Sequence, residues 1–476
     1  MDRPARTLRR SALAVAALAV LASAPSFAAD RALLSGLKAG EQYDGIIVKY
    51  RAGSAEQRDA GFRGRAMQAA LRRAAPQLLG ADAAKVGSAG QRRLAVGAEL
   101  LKLDRSLDAR DVATLVRALA ADPNVEYAEP DVRLQPMFTP NDTRYGEQWH
   151  YFEATGGLNL PNAWNTANGS GVVVAVLDTG IASHSDLNAN VIAGYDFISS
   201  ASTARDGNGR DANPKDEGDW CGWFECASIV PSNSSWHGTH VAGTIAAVTN
   251  NGKGVAGVAW GAKIQPVRVL GKGGGTLSDI SDAIVWASGG TVSGVPANAT
   301  PAEVINLSLG GSGACSGAMQ AAVNGAVSRG SVVVVAAGNS NADAAGFTPA
   351  SCSGVIAVAA TNRSGARASY SNYGSLIKVS APGGNGSGGA ANNVLSTLNA
   401  GTKAQGAESY AQYAGTSMAA PHVAGVVALI QSVSPRTPAQ VLQILQDTAR
   451  PLPGACSGGC GAGIVNAAAA VQAAGN

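Results

Sequence analysis

The sequence predicts an α/β protein, with a mostly parallel sheet covered on both faces and a small α+β domain ahead of it. Two observations carry that prediction. From position 172 onward, apolar-rich runs recur between helical stretches, at Val172 to Leu177, Ile264 to Leu270, Val304 to Leu309, Val332 to Ala337 and Val355 to Ala360. Runs of this kind suit strands buried on both faces of a parallel sheet. Earlier in the chain the pattern is different: a strand-like run at Ile46 to Tyr50, apolar residues at Val112, Leu115, Val116 and Leu119, and a second strand-like run at Val125 to Ala128. Glycine supplies 60 of 476 residues, nearly double the usual share of about 7%, with no collagen period, so a turn-rich globular fold is expected.

Taken in order, the chain opens with Arg3, Arg6, Arg9 and Arg10, an apolar run from Ala12 to Ala22, and Ser26-Phe27-Ala28 with small residues at the cleavage positions. This is the pattern of a secretion signal over residues 1–28. The run is shorter than the roughly 20 residues that span a bilayer, so no membrane anchor is expected. In the next segment, 29–137, the i, i+3, i+4, i+7 spacing of Val112 to Leu119 gives an amphipathic helix that Asp122-Pro123 terminates. The stretch from Gln135 to Pro140, with its two prolines, reads as a linker. The third segment, 138–476, carries the buried strands, and in sheets of this class sites form beyond the carboxyl ends of the strands. GAGIVNAAAAVQAA reads as its final helix.

Charge excludes one class of partner. The three segments hold four basic and one acidic residue, 17 and 14, and 15 and 18, for net charges of +3, +3 and −3. None has the basic excess that a phosphate backbone demands, so no nucleic-acid partner is expected. All six cysteines lie in the last segment, and disulfides persist outside the cytosol. The close pairs Cys221/Cys226 and Cys456/Cys460 invite local bridges, leaving Cys315 with Cys352. A metal site and free thiols are the alternatives, and the spacings lack the paired C-x-x-C pattern of zinc sites.

Three short stretches carry chemistry. VVVAVLDTG places Asp178 at the end of a strand, WHGTHVAGTIAAV places His237 at the start of a helix, and GTSMAAPHVAGVVALIQ places Ser417 at the start of another. A serine hydroxyl is a poor nucleophile until a histidine takes its proton, and that histidine needs a buried carboxylate to fix its tautomer and stabilise the imidazolium. Alone, each residue would pass as a cap or a satisfied polar group. Together, DTG, HGTHVAG and GTSMAAPH resemble the three active-site motifs of the subtilisin-like serine proteases, or subtilases, in the chain order Asp, His, Ser. An α/β-hydrolase esterase would need a G-x-S-x-G elbow and the order Ser, acid, His, and the chain has no such pentapeptide. A binding protein that keeps the fold without the activity would betray itself by a missing catalytic group, and none is missing.

The resemblance implies a three-layer subtilisin-like fold over 138–476 and assigns Asp178, His237 and Ser417 to catalysis. It makes Asn339 of VVVVAAGN the oxyanion-hole residue, together with the backbone N–H of Ser417. His240 and His422 are expected to be structural, with His240 packing against the sheet. VINLSLGG resembles the substrate-binding strand, so Ser308, Leu309 and Gly310 should pair with an extended peptide opposite the loop of Gly273, Gly274 and Gly275. The pocket for the residue before the scissile bond (P1) should be walled by Leu309, Gly310, Ala337, Gly338 and Phe347, which favours apolar or aromatic side chains. The protein is expected to be a secreted serine endopeptidase acting through an acyl-enzyme on protein or peptide substrates, monomeric once mature.

Calcium is the implied cofactor. TPND resembles the start of thermitase-like mature chains, making Asp142 a ligand with Asp186, Asn251 and the carbonyls of Thr249, Lys253 and Val255. A second cluster is expected where Asp206, Asp211, Asp216 and Asp219 converge in an insertion before His237. Lys378 stands where subtilisins often carry a carboxylate for a weaker cation site. The domain 29–137 resembles the subtilase propeptide, which assists folding, is cut by the enzyme itself and then inhibits it. Cleavage is expected between about Val132 and Thr139.

Overall fold

The computed structural model describes residues 31–475 except 35, 38–40, 79–84, 134–137, 227, 228 and 387. The expected export signal and residues 135–137 of the linker lie outside the described residues. The chain divides into two compact units between Leu134 and Gln135, each considered by itself.

The first unit is a four-stranded antiparallel sheet packed on helices. Its strands are β1 (Gln42–Tyr50), β2 (Ser88–Arg93), β3 (Glu99–Asp108) and β4 (Val125–Pro130), in the order β2-β3-β1-β4. The predicted helix spans Ala109–Ala120; Asp108 caps it by accepting from the Asp111 N–H, and its buried stripe is Val112, Leu115, Val116 and Leu119. That stripe packs on Ile46, Val48 and Leu101 of the sheet and on Met67 and Leu71 of a second helix, Ala60–Ala74. The second helix and the strands β2 and β3 were not anticipated. β2 is exposed along its length, so its sequence SAGQRR shows no apolar alternation to read.

The second unit centres on a seven-stranded parallel sheet. Its strands in chain order are β5 (Val173–Asp178), β6 (Tyr195–Asp196), β7 (Lys263–Arg268), β8 (Val304–Leu307), β9 (Gly311–Ser312), β10 (Val332–Ala336), β11 (Phe347–Thr348), β12 (Ile356–Thr361), β13 (Val379–Pro382), β14 (Val394–Asn399) and β15 (Glu408–Tyr413). The sheet runs β13-β12-β10-β8-β5-β7-β6, while β9 pairs with β11 and β14 with β15. All five predicted strands lie in it, and the short β6 and β13 extend its two edges.

Alternating side chains feed two cores, as a sheet covered on both faces requires. Val174, Val176, Val332 and Val334 face the helices His237–Ala246 and Thr416–Val433. Ala175, Leu177, Val333 and Val335 face the helices Leu277–Ala287 and Gly317–Ser328. This is the three-layer α/β architecture that the sequence predicts. Thr416–Val433 is long and apolar enough to cross a membrane, but it is the buried central helix of this core. The disulfides Cys221–Cys226, Cys315–Cys352 and Cys456–Cys460 form as expected.

The topology fixes where chemistry can happen. The chain leaves β5 to build β7 and β6 on one side, then crosses back to build β8, β10, β12 and β13 on the other. The reversal at β5 opens a crevice beyond the carboxyl ends of the strands, and Asp178 is the last residue of β5.

Candidate active site

A cleft of about 530 Å³ lies at that switch point, lined among others by His237, Ser308, Leu309, Gly338, Asn339 and Ser417. Asp178 is fully buried beneath it and accepts from the Thr179 N–H at 2.8 Å. His237 opens its helix, with its Nδ1 2.8 and 3.0 Å from the two Asp178 oxygens. An ionised carboxylate only accepts, so Nδ1 carries the proton and Nε2 is left as the basic nitrogen on the cleft side. Close packing sets this geometry. A Cβ on Gly238 would stand 2.3 Å from the Gly180 carbonyl oxygen, so the helix approaches the β5 turn only because that residue is glycine.

Burial lowers the affinity of His237 for a proton, but the charge of Asp178, its hydrogen bond, and the more distant charges of Asp219 and Asp216 outweigh it and hold the imidazole above its ordinary range. The net negative surroundings favour the imidazolium that proton transfer creates.

Ser417 is mounted by an unusual helix start. Pro421 sits inside Thr416–Val433, and with no N–H it cannot bond the carbonyl four residues back. That carbonyl belongs to Ser417, and the hydroxyl of Ser308 donates to it instead at 2.8 Å. Asn306 in turn donates to the Ser308 oxygen at 2.9 Å. Ser308 was expected only to pair with substrate; its side chain also anchors Ser417. The proline rule signals a carbonyl in need of a donor, and only the fold supplies its identity.

Asn339 follows β10. Its side-chain oxygen accepts from the Thr416 N–H at 2.8 Å and from the Thr416 hydroxyl at 3.0 Å, which leaves the amide N–H groups as the donors of a side chain that lines the cleft. Gly338 has φ +104°, and a Cβ there would meet the Asn372 side chain at 2.4 Å, so only glycine lets the chain pass. Leu309, Gly310, Ala337, Gly338 and Phe347 all line the cleft, and so does Gly274 from the facing loop. Gly273 is turned away, its Cβ direction facing Cys226.

The other histidines are locked in packing. His240 donates from Nε2 toward the carbonyls of Val394 and Ala411 and stacks on Tyr413, so it packs on the β14-β15 hairpin and not on the parallel sheet as expected. Burial drops it to about 3. His422 donates from Nδ1 to the Met418 carbonyl and accepts at Nε2 from His150. Burial lowers it to about 4.

The expected calcium ligands divide into two cases. Asp142 and Asp186 are buried and wrapped by the 249–255 loop. The Asn250 N–H donates to one Asp142 oxygen, while Val255 N–H, the Asn251 amide and the Tyr410 hydroxyl donate to Asp186. The second Asp142 oxygen is buried with no partner, and the carbonyls of Thr249, Lys253 and Val255 accept no hydrogen bond from described residues. Burial pushes both carboxyls up. An orphaned carboxylate oxygen and three free carbonyls fit a hard cation with oxygen ligands.

The second cluster does not converge, which corrects the expectation of one four-carboxylate centre. Among the described residues no three His, Cys, Asp or Glu side chains gather as a metal set. Asp206 pairs with buried Arg268 at 3.3 Å, and Asp211 accepts from the Asn208 amide and the Asn213 N–H. Asp216 takes the Thr179 hydroxyl at 2.6 Å and the Gly218 N–H. Asp219 takes the Ser235 N–H at 2.6 Å and hydroxyl at 2.8 Å. Each has found its own protein partners, and His237 feels the charges of the last two.

Comparison with known proteins agrees with this geometry. The model of the family described as "Subtilase family" matches residues 169–463. The chain is 59% identical to a Xanthomonas campestris protein named "Extracellular protease", over 97% of this chain and 78% of that one. It is 44% identical to the "Extracellular basic protease" of Dichelobacter nodosus, over 90% and 70%. Among solved structures, a protease from Pseudoalteromonas arctica superposes with a TM-score of 0.70 at 60% identity, covering 71% of this chain and all of that one. The chain belongs to the subtilase family and is a serine protease.

Proposed function

We propose that this subtilase is a secreted endopeptidase whose catalytic triad is Asp178, His237 and Ser417, made as a precursor and matured by its own activity. The observation that carries the reading is the Asp178–His237 couple, which leaves a basic nitrogen in the cleft that also holds Ser417 and the free amide of Asn339. His237 Nε2 takes the Ser417 proton as Oγ attacks the scissile carbonyl. Asp178 keeps the tautomer and balances the imidazolium. The Asn339 amide and the Ser417 N–H donate to the developing oxyanion, each donor typically worth about 2.7–4 kcal/mol in the transition state. His237 then protonates the departing amine, and water repeats the sequence on the acyl-enzyme.

The walls Leu309, Ala337, Gly338 and Phe347 are uncharged, which supports cleavage after apolar or aromatic residues. A peptide library dominated by basic P1 residues would overturn that preference. Calcium, when bound, contributes structural stability through Asp142, Asp186, Asn251 and the carbonyls of Thr249, Lys253 and Val255. Export rests on the amino-terminal pattern and on the extracellular relatives, and the inhibitory role of the first unit on its place ahead of the protease domain.

The test compares wild type with Ser417→Ala, following both release of the first unit and digestion of an unfolded protein, with and without a serine-directed covalent inhibitor. Wild type should mature and digest, the inhibitor should stop digestion, and the variant should remain an uncut precursor. A folded, mature wild type that digests nothing would overturn the reading.

A further inference from the structure

The cleft has two walls, set apart by the strand order. On one side of β5 lie the ends of β8 and β10, which supply Leu309 and Gly338; on the other lies the end of β7, which supplies Leu270. His237 stands over β5, and beside it are Ser235 and Asp219. Asp219 is the sole carboxylate among the described residues lining this cleft. Its oxygens are oriented by the Ser235 N–H and hydroxyl, and it remains partly exposed. Among the described residues no Lys or Arg nitrogen comes within ion-pair distance of it. Arg205, which feels its charge, pairs with Glu225, stacks on Trp220 and donates to the Trp220 carbonyl, and the Lys403 ammonium lies over the same Trp220 ring.

A peptide held in extended form along Ser308–Gly310 points successive side chains to opposite sides. With P1 in the recess walled by Leu309, Gly338 and Phe347, the preceding side chain, P2, points to the opposite wall, that of His237, Leu270 and Asp219. We propose that Asp219 is a specificity-determining residue that favours Lys or Arg at P2 and disfavours Asp or Glu there. The inference rests on the protease reading given above and deepens it by assigning a second subsite. It also explains why the carboxylate is anchored from behind by two donors on Ser235: a fixed charge discriminates between partners better than a mobile one.

The experiment uses the mature enzyme and three peptides identical except at P2, which is Arg, Ala or Glu, with Phe at P1. The Arg-to-Glu ratio of kcat/KM is internal to each enzyme, so a change in overall turnover leaves it readable. Wild type should favour Arg over Glu by about tenfold or more at low salt, with the ratio shrinking toward unity at about 0.5 M salt as the interaction is screened. Asp219→Asn should reduce the low-salt ratio to below about threefold, and Asp219→Glu should keep most of it. A wild-type ratio near unity, or one that high salt leaves intact, overturns the proposal. So does an unchanged ratio in Asp219→Asn. Active-site titration with the covalent inhibitor separates the two levels. A wild type that titrates but ignores P2 charge refutes only the assignment of Asp219, whereas one that neither titrates nor cleaves any peptide refutes the protease reading and this inference with it.

Discussion

Two acidic regions flank the helix His237–Ala246, and the fold treats them in opposite ways. Behind its carboxyl end, Asp142 and Asp186 are buried against the 249–255 loop, with one oxygen and three carbonyls left unpartnered among the described residues. Ahead of its amino end, Asp206, Asp211, Asp216 and Asp219 each find a cation or protein donors of their own. In sequence, the second region is the more calcium-like, because four aspartates and Glu217 crowd within 14 positions. In space the first is. What distinguishes them is unsatisfied oxygen at depth and not the number of acidic residues, since a buried oxygen without a partner costs stability that a cation can remove.

Chelation should sharpen that contrast most. Removing calcium, or making Asp186→Asn, is expected to cost about 3 kcal/mol or more and lower the Tm by roughly 5–10 °C in calorimetry. In the Asp186→Asn protein, added chelator should then do little more. Next in size is Asp206→Asn. It removes one partner of buried Arg268 but leaves Asp196 at 2.6 Å, so about 1–2 kcal/mol is expected, the same with and without calcium. Asp211→Asn should fall within about 0.5 kcal/mol. A calcium-dependent loss in Asp211→Asn as large as that in Asp186→Asn would break the comparison.

Catalysis should respond to the second region alone, and more gently. In the proposed mechanism His237 acts as a base only when neutral, and its neighbours hold its protonation above the ordinary imidazole range. Activity should therefore fall as pH drops through that raised value, so kcat/KM loses about tenfold per unit on the acid side. Replacing Asp219 with Asn removes a negative charge that favours the imidazolium, which shifts the acid limb to lower pH by a few tenths of a unit, whereas burial pushes the Asp216 carboxyl up to about 7, so Asp216→Asn should move the limb less. Asp142→Asn should leave the limb in place, and pH profiles of kcat/KM on one neutral peptide decide it.

Much of this was legible in the chain itself. Strands buried on both faces have no polar alternation to hide them, so Val172 to Leu177 and Val332 to Ala337 could be placed to within a residue or two. The motifs around Asp178, His237 and Ser417 are local, and the short loops between cysteines made two of the three disulfides readable. Asp216 and Asp219 were misassigned because their neighbours in sequence are other carboxylates, while their partners in space, Thr179 and Ser235, arrive from distant segments. Strand β2 was missed because its side chains meet water on both faces, which leaves no hydrophobic period to detect.

One hydroxyl carries a further consequence. Because Pro421 leaves the Ser417 carbonyl for Ser308 to hold, the proposed peptide-binding edge and the mount of the proposed nucleophile are joined by a single strut. Peptide and nucleophile therefore share one frame of reference, and a displacement of the bound chain carries the attacking oxygen along with it. In Ser308→Ala that strut is cut, so the alignment of attack, more than the grip on substrate, is what the enzyme would lose.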